Sequence, residues 1–316
     1  MDFERLPIVF AGLMHTSAEM FFMQQGRMMA GFFKRYMPKR FRNQDVVIPV
    51  VRLHGTITSG GSRFKPALNL ATVAPMLDKA FAKDGPVVAI SVNSPGGSPV
   101  QSRMIYQRIR SLAEEKNKKV LVFVEDVAAS GGYMIAIAGD EIIADPTSIV
   151  GSIGVVSGGF GFPELLKKIG VERRVYTAGE NKAILDPFQP EKEGDIDYLK
   201  SLQLEIHKIF IDMVTARRGA KLADDGTIFS GLFWTGGRGL ELGLIDGLGD
   251  MRVELKRRYG PKVKLELITG ARSLFGRRVP GVSLATMPGV DHLAAAAVSG
   301  LVETAEDRAL WARFGL

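Results

Sequence analysis

From Val46 onward the chain alternates short apolar runs with amphipathic stretches. Val46–Leu53, Pro86–Ser94 and Lys119–Glu125 are runs of strand length rich in Val and Ile. Between them, Thr72–Lys83 and Pro99–Lys116 carry apolar residues at helical spacing, and in the second Met104, Ile105, Ile109 and Leu112 share one face. Thr72 is expected to cap the first helix, with Pro75 tolerated in its first turn. A glycine-containing helix is expected from Ser130, and short buried strands over Glu141–Ala144, Ile153–Val156 and Arg173–Thr177. The longest helical pattern, Glu191–Arg218, ends at Gly219. Strand–helix–strand alternation with strands apolar on both faces predicts an α/β fold, a mainly parallel sheet covered by helices with right-handed crossovers.

The ends of the chain have a different texture. Leu6–Ala18 lacks Asp, Glu, Lys and Arg, but its 13 residues fall short of the roughly 20 needed to cross a bilayer. Met- and Phe-rich segments come next, hemmed by Lys34, Arg35, Lys39, Arg40 and Arg42. Residues 1–45 therefore read as an interfacial helix on a membrane surface, or as a helix packing on a neighbouring subunit. Asp2 and Glu4 argue against a secretory signal, whose first residues are basic. Residues 46–270 form the expected catalytic body. Residues 271–316 read as a linker (271–290) and a small amphipathic helix over His292–Phe314.

Composition narrows the chemistry. With 46% hydrophobic and 24% charged residues, the chain has the balance of a folded globular protein. It contains no cysteine, which excludes disulfides, thiolate catalysis and cysteine-held metal sites. Four histidines (His15, His54, His207, His292) are a poor supply for a metal centre, and neither a metal nor an organic cofactor is expected. The net charge of +7 is concentrated at two places: residues 252–278 hold nine Lys/Arg against two Glu, and residues 1–45 hold seven basic against four acidic groups. The remainder is slightly acidic. A basic rim suits an anionic membrane surface, whereas nucleic-acid binding is not expected of a body that is not itself a polycation.

Two glycine turns come directly after strands and are the candidate chemistry. In Asn93-Ser94-Pro95-Gly96-Gly97 the glycines permit close backbone approach to a ligand, and outward N–H groups there suit a developing oxyanion. The bland alternative is a plain strand exit. In Asp126-Val127-Ala128-Ala129-Ser130-Gly131-Gly132-Tyr133, Ser130 lies between small residues at a strand-to-helix junction, the position of a presented nucleophile. An N-cap serine is the competing reading. A nucleophile needs a base, and no histidine is well placed: His207 lies within a long helix, His54 closes a strand, and His15 and His292 lie in the extensions. A lysine serves only when its amine is neutral, which burial achieves. Lys182, in the loop Ala178-Gly179-Glu180-Asn181-Lys182-Ala183, is the candidate.

From about Val46 to Asp250 the chain resembles the S49 serine peptidases, the signal peptide peptidase A and SohB-like group. The resemblance rests on VNSPGG (Val92–Gly97), DVAASGGY (Asp126–Tyr133), ADPTSIVGSIGV (Ala144–Val155), YTAGENK (Tyr176–Lys182) and FWTGGRGLELGLIDGLG (Phe233–Gly249). It implies that Ser130 is the nucleophile and Lys182 the general base. Gly97 then supplies an oxyanion amide with Gly96 shaping the turn, the Ser130 backbone N–H completes the hole, and Ser152 helps hold the lysine amine. It further implies a ClpP/crotonase-like spiral of βαβ units and a ring-shaped homo-oligomer, octameric, with active sites assembled from neighbouring subunits. Relatives commonly carry an N-terminal transmembrane helix, which residues 1–45 lack. The expected substrates are extended apolar peptides, such as remnant signal peptides or misfolded proteins, with the enzyme associated with a bacterial inner membrane or, alternatively, cytoplasmic. A crotonase-like acyl-CoA enzyme and a non-catalytic ring-shaped membrane scaffold are the rival readings.

Overall fold

In a computed structural model of the chain, residues 46–60, 67–269, 304–305 and 307–316 are described. The expectations for residues 1–45 and for the linker 271–290 lie outside them. The chain separates into two units at Val46/Val47, and all the elements of the fold named below belong to the second.

Its elements run β1 (Val47–His54), α1 (Leu70–Phe81), β2 (Val87–Ser94), α2 (Pro99–Glu115), β3 (Lys119–Ala129), α3 (Gly131–Ala136), β4 (Glu141–Ala144), β5 (Ile149–Gly151), α4 (Pro163–Lys168) and α5 (Glu193–Arg218). They continue with β6 (Phe233–Thr235), α6 (Gly236–Glu241), β7 (Gly247–Leu248), α7 (Met251–Tyr259) and β8 (Lys264–Leu267). Residues 304–305 and 307–312 are again helical. One sheet orders its strands β6-β5-β3-β2-β1-β8, with β4 joining β3 to β7. Every pairing is parallel except β5 with β6. The mixed α/β sheet expected from the sequence is thus present.

Both faces of the central strands are buried, which explains their unbroken apolar sequences. On one face Leu53, Ile90, Val92, Val122 and Val124 pack with Leu77 of α1, Ile105 and Ile109 of α2, and Tyr133 and Ile135 of α3. On the other, Ile48, Ala89, Leu121, Phe123 and Ile143 pack against Leu255 of α7. Asn69, rather than Thr72, caps α1: Asn69 Oδ1 accepts from the Thr72 amide while Thr72 Oγ1 accepts from the Asn69 amide, a reciprocal capping box. The buried strand expected at Ile153–Val156 falls instead at Ile149–Gly151, because positive φ values at Gly151 (107°) and Ser152 (53°) end it. Arg173–Thr177 forms no strand. Its alternation has no neighbouring strand to pair with, and all five residues are exposed.

A buried ion pair ties α5 to the sheet. Arg218, 3% exposed, places Nη1 2.6 Å from Asp246 Oδ2 and bonds the Gly243 carbonyl through Nε and Nη2. Lys221 takes the other carboxylate oxygen at 2.6 Å. Burial would raise the Asp246 pKa, but the hydrogen bonds from Arg218, Lys221 and the Ile142 amide outweigh it and hold the carboxyl below its ordinary range.

Removing Arg218 leaves a carboxylate stripped of its best partner, so Arg218→Ala should lower the unfolding free energy by about 3 kcal/mol in urea melts. A carboxyl with a depressed folded pKa contributes stability that is present above its unfolded value and lost as the pH falls through the folded one. The wild-type chain should therefore lose stability as the pH drops below about 4, and Asp246→Asn should lose less over the same interval.

Candidate active site

Ser130 occupies the single residue between β3 and α3. Its backbone is at φ 52°, ψ −121°, a conformation a non-glycine residue adopts only where its surroundings impose it. Its carbonyl accepts the Met134 amide at 2.9 Å, opening α3. Ser130 is thus the N-cap residue by position, but its side chain makes no capping hydrogen bond. The backbone N–H donates to the Gly151 carbonyl at 2.9 Å.

That last bond corrects one expectation. An amide committed to Gly151 is not free to hold an oxyanion, so the Ser130 N–H does not complete the hole. The next amide along, Gly131, has no acceptor among the described residues, and neither has that of Gly97. Gly97, Gly131 and Ser130 line one cleft of about 230 Å³, walled by Met134, Val155, Val156, Ile206 and Phe210. None of the described residues that line it is a carboxylate.

The glycines are required by space as well as by conformation. Gly96 (φ 104°) lies so close to the serine turn that a Cβ there would meet Ser130 Cβ at 2.8 Å and the Gly131 amide nitrogen at 2.9 Å. A Cβ on Gly97 (φ 133°) would fall 2.1 Å from the Ile57 carbonyl oxygen, and one on Gly132 2.3 Å from the Ser94 oxygen. Ile57 holds this turn from the far side, donating its amide to Gly96 O at 2.8 Å and accepting the Ser98 amide at 2.7 Å.

An irregularity in the sheet aims β3 at the cleft. Val92 pairs with Val124, but Ser94 pairs with Ala128, so β3 carries two more residues than β2 over this interval. Asn93 fills the gap: its Oδ1 accepts the Val127 amide at 3.1 Å and its Nδ2 donates to Asp126 Oδ2 at 2.6 Å. Asp126 thus braces the nucleophile turn. The first half of β3 pairs with β4 and the second with β5. A bulged strand bends in this way and re-aims the residues beyond the bulge.

The remaining candidates are dispersed. Ser152 is buried, its amide bonded to Leu232 O at 2.7 Å, and comes directly after the residue that anchors the Ser130 amide. Its side chain bonds no described residue. Lys182 is exposed on the loop after α4, its amide bonded to Gly179 O at 3.2 Å, and it does not line the cleft. Within one chain, then, Ser130, Gly96 and Gly97 come together, with Ser152 near, and Lys182 stands apart. His207 lies on α5 with Nε2 3.0 Å from the Ile153 carbonyl.

Sequence reasoning missed two features. Leu310 and Arg313 of the C-terminal segment also line the cleft, and only tertiary contact reveals them. On the opposite face, His54 Nε2 lies 2.7 Å from Ser91 Oγ, which reaches Glu125 Oε1 at 2.6 Å. This trio is no catalytic triad: Ser91 is 1% exposed, and Glu125 approaches the same ring nitrogen as the serine, at 3.4 Å. Nδ1, where a triad places its carboxylate, faces Arg52 instead. Burial first, and Arg52 after it, lowers the His54 pKa against the opposing pull of Glu125.

A serine on a strained strand-to-helix turn, facing two free backbone amides over an apolar cleft, is an arrangement for acyl transfer. The comparisons agree with that class. Peptidase family S49 matches residues 113–259. Protein slr0021 of Synechocystis sp., which carries a protease name, is 31% identical over 242 residues, 74% of this chain and 83% of its own. Protease 4 of Haemophilus influenzae is 32% identical over 216 residues, 67% of this chain and 35% of its own. The chain belongs to peptidase family S49. A Brucella abortus protein named Na(+)/H(+) antiporter NhaA is 64% identical over 290 residues, 90% of this chain but 39% of its own. The chain thus spans about two fifths of that relative's length. No helix among the described residues is long and apolar enough to cross a membrane.

Gly96→Ala combines a positive φ with backbone overlap and should cost about 2–5 kcal/mol of stability. The same change should abolish labelling of Ser130 by a fluorophosphonate under conditions where the protein remains folded.

Proposed function

We propose that the chain is a serine endopeptidase in which Ser130 is the nucleophile and Lys182, supplied by a neighbouring copy, is the general base. The observation that carries this reading is the strained Ser130 turn facing the unbonded amides of Gly97 and Gly131. The neutral Lys182 amine takes the proton from Ser130 Oγ as that oxygen attacks the peptide carbonyl. The carbonyl oxygen, now an anion, is held by the two glycine amides. Collapse breaks the C–N bond, and Lys182 returns the proton to the leaving amine. Water, deprotonated by Lys182, then hydrolyses the acyl-enzyme and regenerates Ser130. The scheme calls on no metal or organic cofactor.

Supply of the base from a second copy is supported by a long uncovered segment. From Gly154 to Ile209 no residue is buried, although Val156, Phe160, Ile169, Tyr176 and Leu204 are each more than half exposed. So much apolar surface favours association with another molecule, and a ring of copies on a ClpP/crotonase-like scaffold meets that need. Covering by a neighbour also provides the burial that keeps a lysine amine neutral. The apolar wall of Met134, Val156 and Phe210 suits extended apolar peptides, among them remnant signal peptides or misfolded proteins at an inner membrane. The acyl-CoA alternative is disfavoured, because it calls for carboxylates at the cleft.

Ser130→Ala and Lys182→Ala should each reduce casein hydrolysis at least about a thousandfold. If the base comes from a neighbour, dissociating and reassembling an equal mixture of the two inactive variants should restore about a quarter of the sites. No recovery, with mixed oligomers verified, would place Lys182 with the Ser130 of its own chain.

A further inference from the structure

The C-terminal segment lies over the nucleophile. Leu310 and Arg313 belong to the lining of the same cleft as Ser130, Gly97 and Gly131. The segment is fixed on both flanks of that cleft. On one side the Thr56 hydroxyl donates to Asp307 Oδ1, and Thr56 precedes Ile57, whose backbone holds the Gly96–Gly97 turn. On the other side Phe314 packs edge-on against Phe233, with ring centroids 5.0 Å apart. Phe233 stands opposite Gly151 in the β5–β6 pair, and Gly151 anchors the Ser130 amide. Phe314 and Leu316 continue past the cleft into a larger cavity beside Asp126 and Ser148. The segment therefore bridges the two backbone elements that set the serine site.

The space left beneath it is small. About 230 Å³ remains over Ser130, less than the roughly 300–1,000 Å³ of sites that accept even small organic ligands. An extended polypeptide crossing Ser130 needs several residues on either side of the scissile bond, and Leu310 and Arg313 stand in that space. We infer that residues 307–316 are a built-in cap of the Ser130 cleft, which a polypeptide substrate must displace before it reaches the serine. The inference rests on the reading of Ser130 as nucleophile for its functional meaning, but the covering itself can be measured without catalysis. A closed cap lowers apparent activity in proportion to the fraction of molecules in which it is closed.

The chain has no cysteine, so Ser130→Cys introduces a single thiol whose alkylation reports access to the cleft. In full-length protein carrying Ser130→Cys, modification by a maleimide-capped hexa-alanine peptide is compared with that in two further variants. One adds Leu310→Asp, and the other ends before residue 304. Both should react about tenfold faster or more, while iodoacetamide, a far smaller reagent, should gain much less. Equal rates for the peptide reagent in all three proteins would overturn the cap. Casein hydrolysis by the corresponding proteins that retain Ser130 separates the two readings. Faster thiol labelling without any Ser130-dependent hydrolysis keeps the cap and sinks the peptidase, whereas Ser130-dependent hydrolysis with unchanged labelling does the reverse.

Discussion

Two backbone turns, one leaving β2 and one leaving β3, approach each other more closely than any side chain permits. Gly96 lies against Ser130, Gly97 against Ile57 and Gly132 against Ser94, each at a separation that a single added Cβ would violate. This contact sets the direction of Ser130 and leaves the amides of Gly97 and Gly131 facing one cleft. It depends in turn on the two-residue excess in β3 that Asn93 and Asp126 stabilise. That excess falls where β3 passes from pairing with β4 to pairing with β5. The strain at Ser130 is thus sustained by the sheet as a whole, where burial on both faces makes the strands hard to shift.

Most of this was legible in sequence because it is local. The alternation of apolar strands and amphipathic helices specified the parallel sheet, and the SPGG and ASGGY turns marked the serine and its glycines. Errors arose where one local signal competed with another. Thr72 was a fair cap for α1, but Asn69 three residues earlier forms a box with it. Ile153–Val156 has strand composition, yet the positive φ at Gly151 and Ser152 ends the strand first. The Ser130 amide was misassigned because its acceptor, the Gly151 carbonyl, belongs to a strand some twenty residues away. The contribution of Leu310 and Arg313 lies farther still along the chain, beyond any periodicity or spacing.

The cleft draws on parts of unequal firmness. Its floor, formed by strand ends and α3, belongs to the main core, where Ala129, Tyr133 and Ile135 are fully buried. One wall, Ile206 and Phe210, sits on α5 at the point where burial begins: Phe210 is buried, while residues from Gly154 to Ile209 are not. A second wall is the C-terminal segment, whose ties to the body include one side-chain hydrogen bond and one ring pair.

Differences of that kind decide what can move during a reaction. The proposed oxyanion donors are backbone amides in closely packed glycine turns at the ends of the core strands, which is where preorganisation is most effective. The proposed base and the proposed cap belong to the less buried parts, where displacement costs less. An exposed lysine on an uncovered loop and a terminal helix beside a serine then serve one end. On the proposed reading, each keeps an isolated copy from presenting a complete, open site, and each is reversed by binding, the lysine by a neighbouring copy and the cap by an incoming polypeptide. The chemistry is fixed within the sheet, while access to it depends on surfaces at the edge.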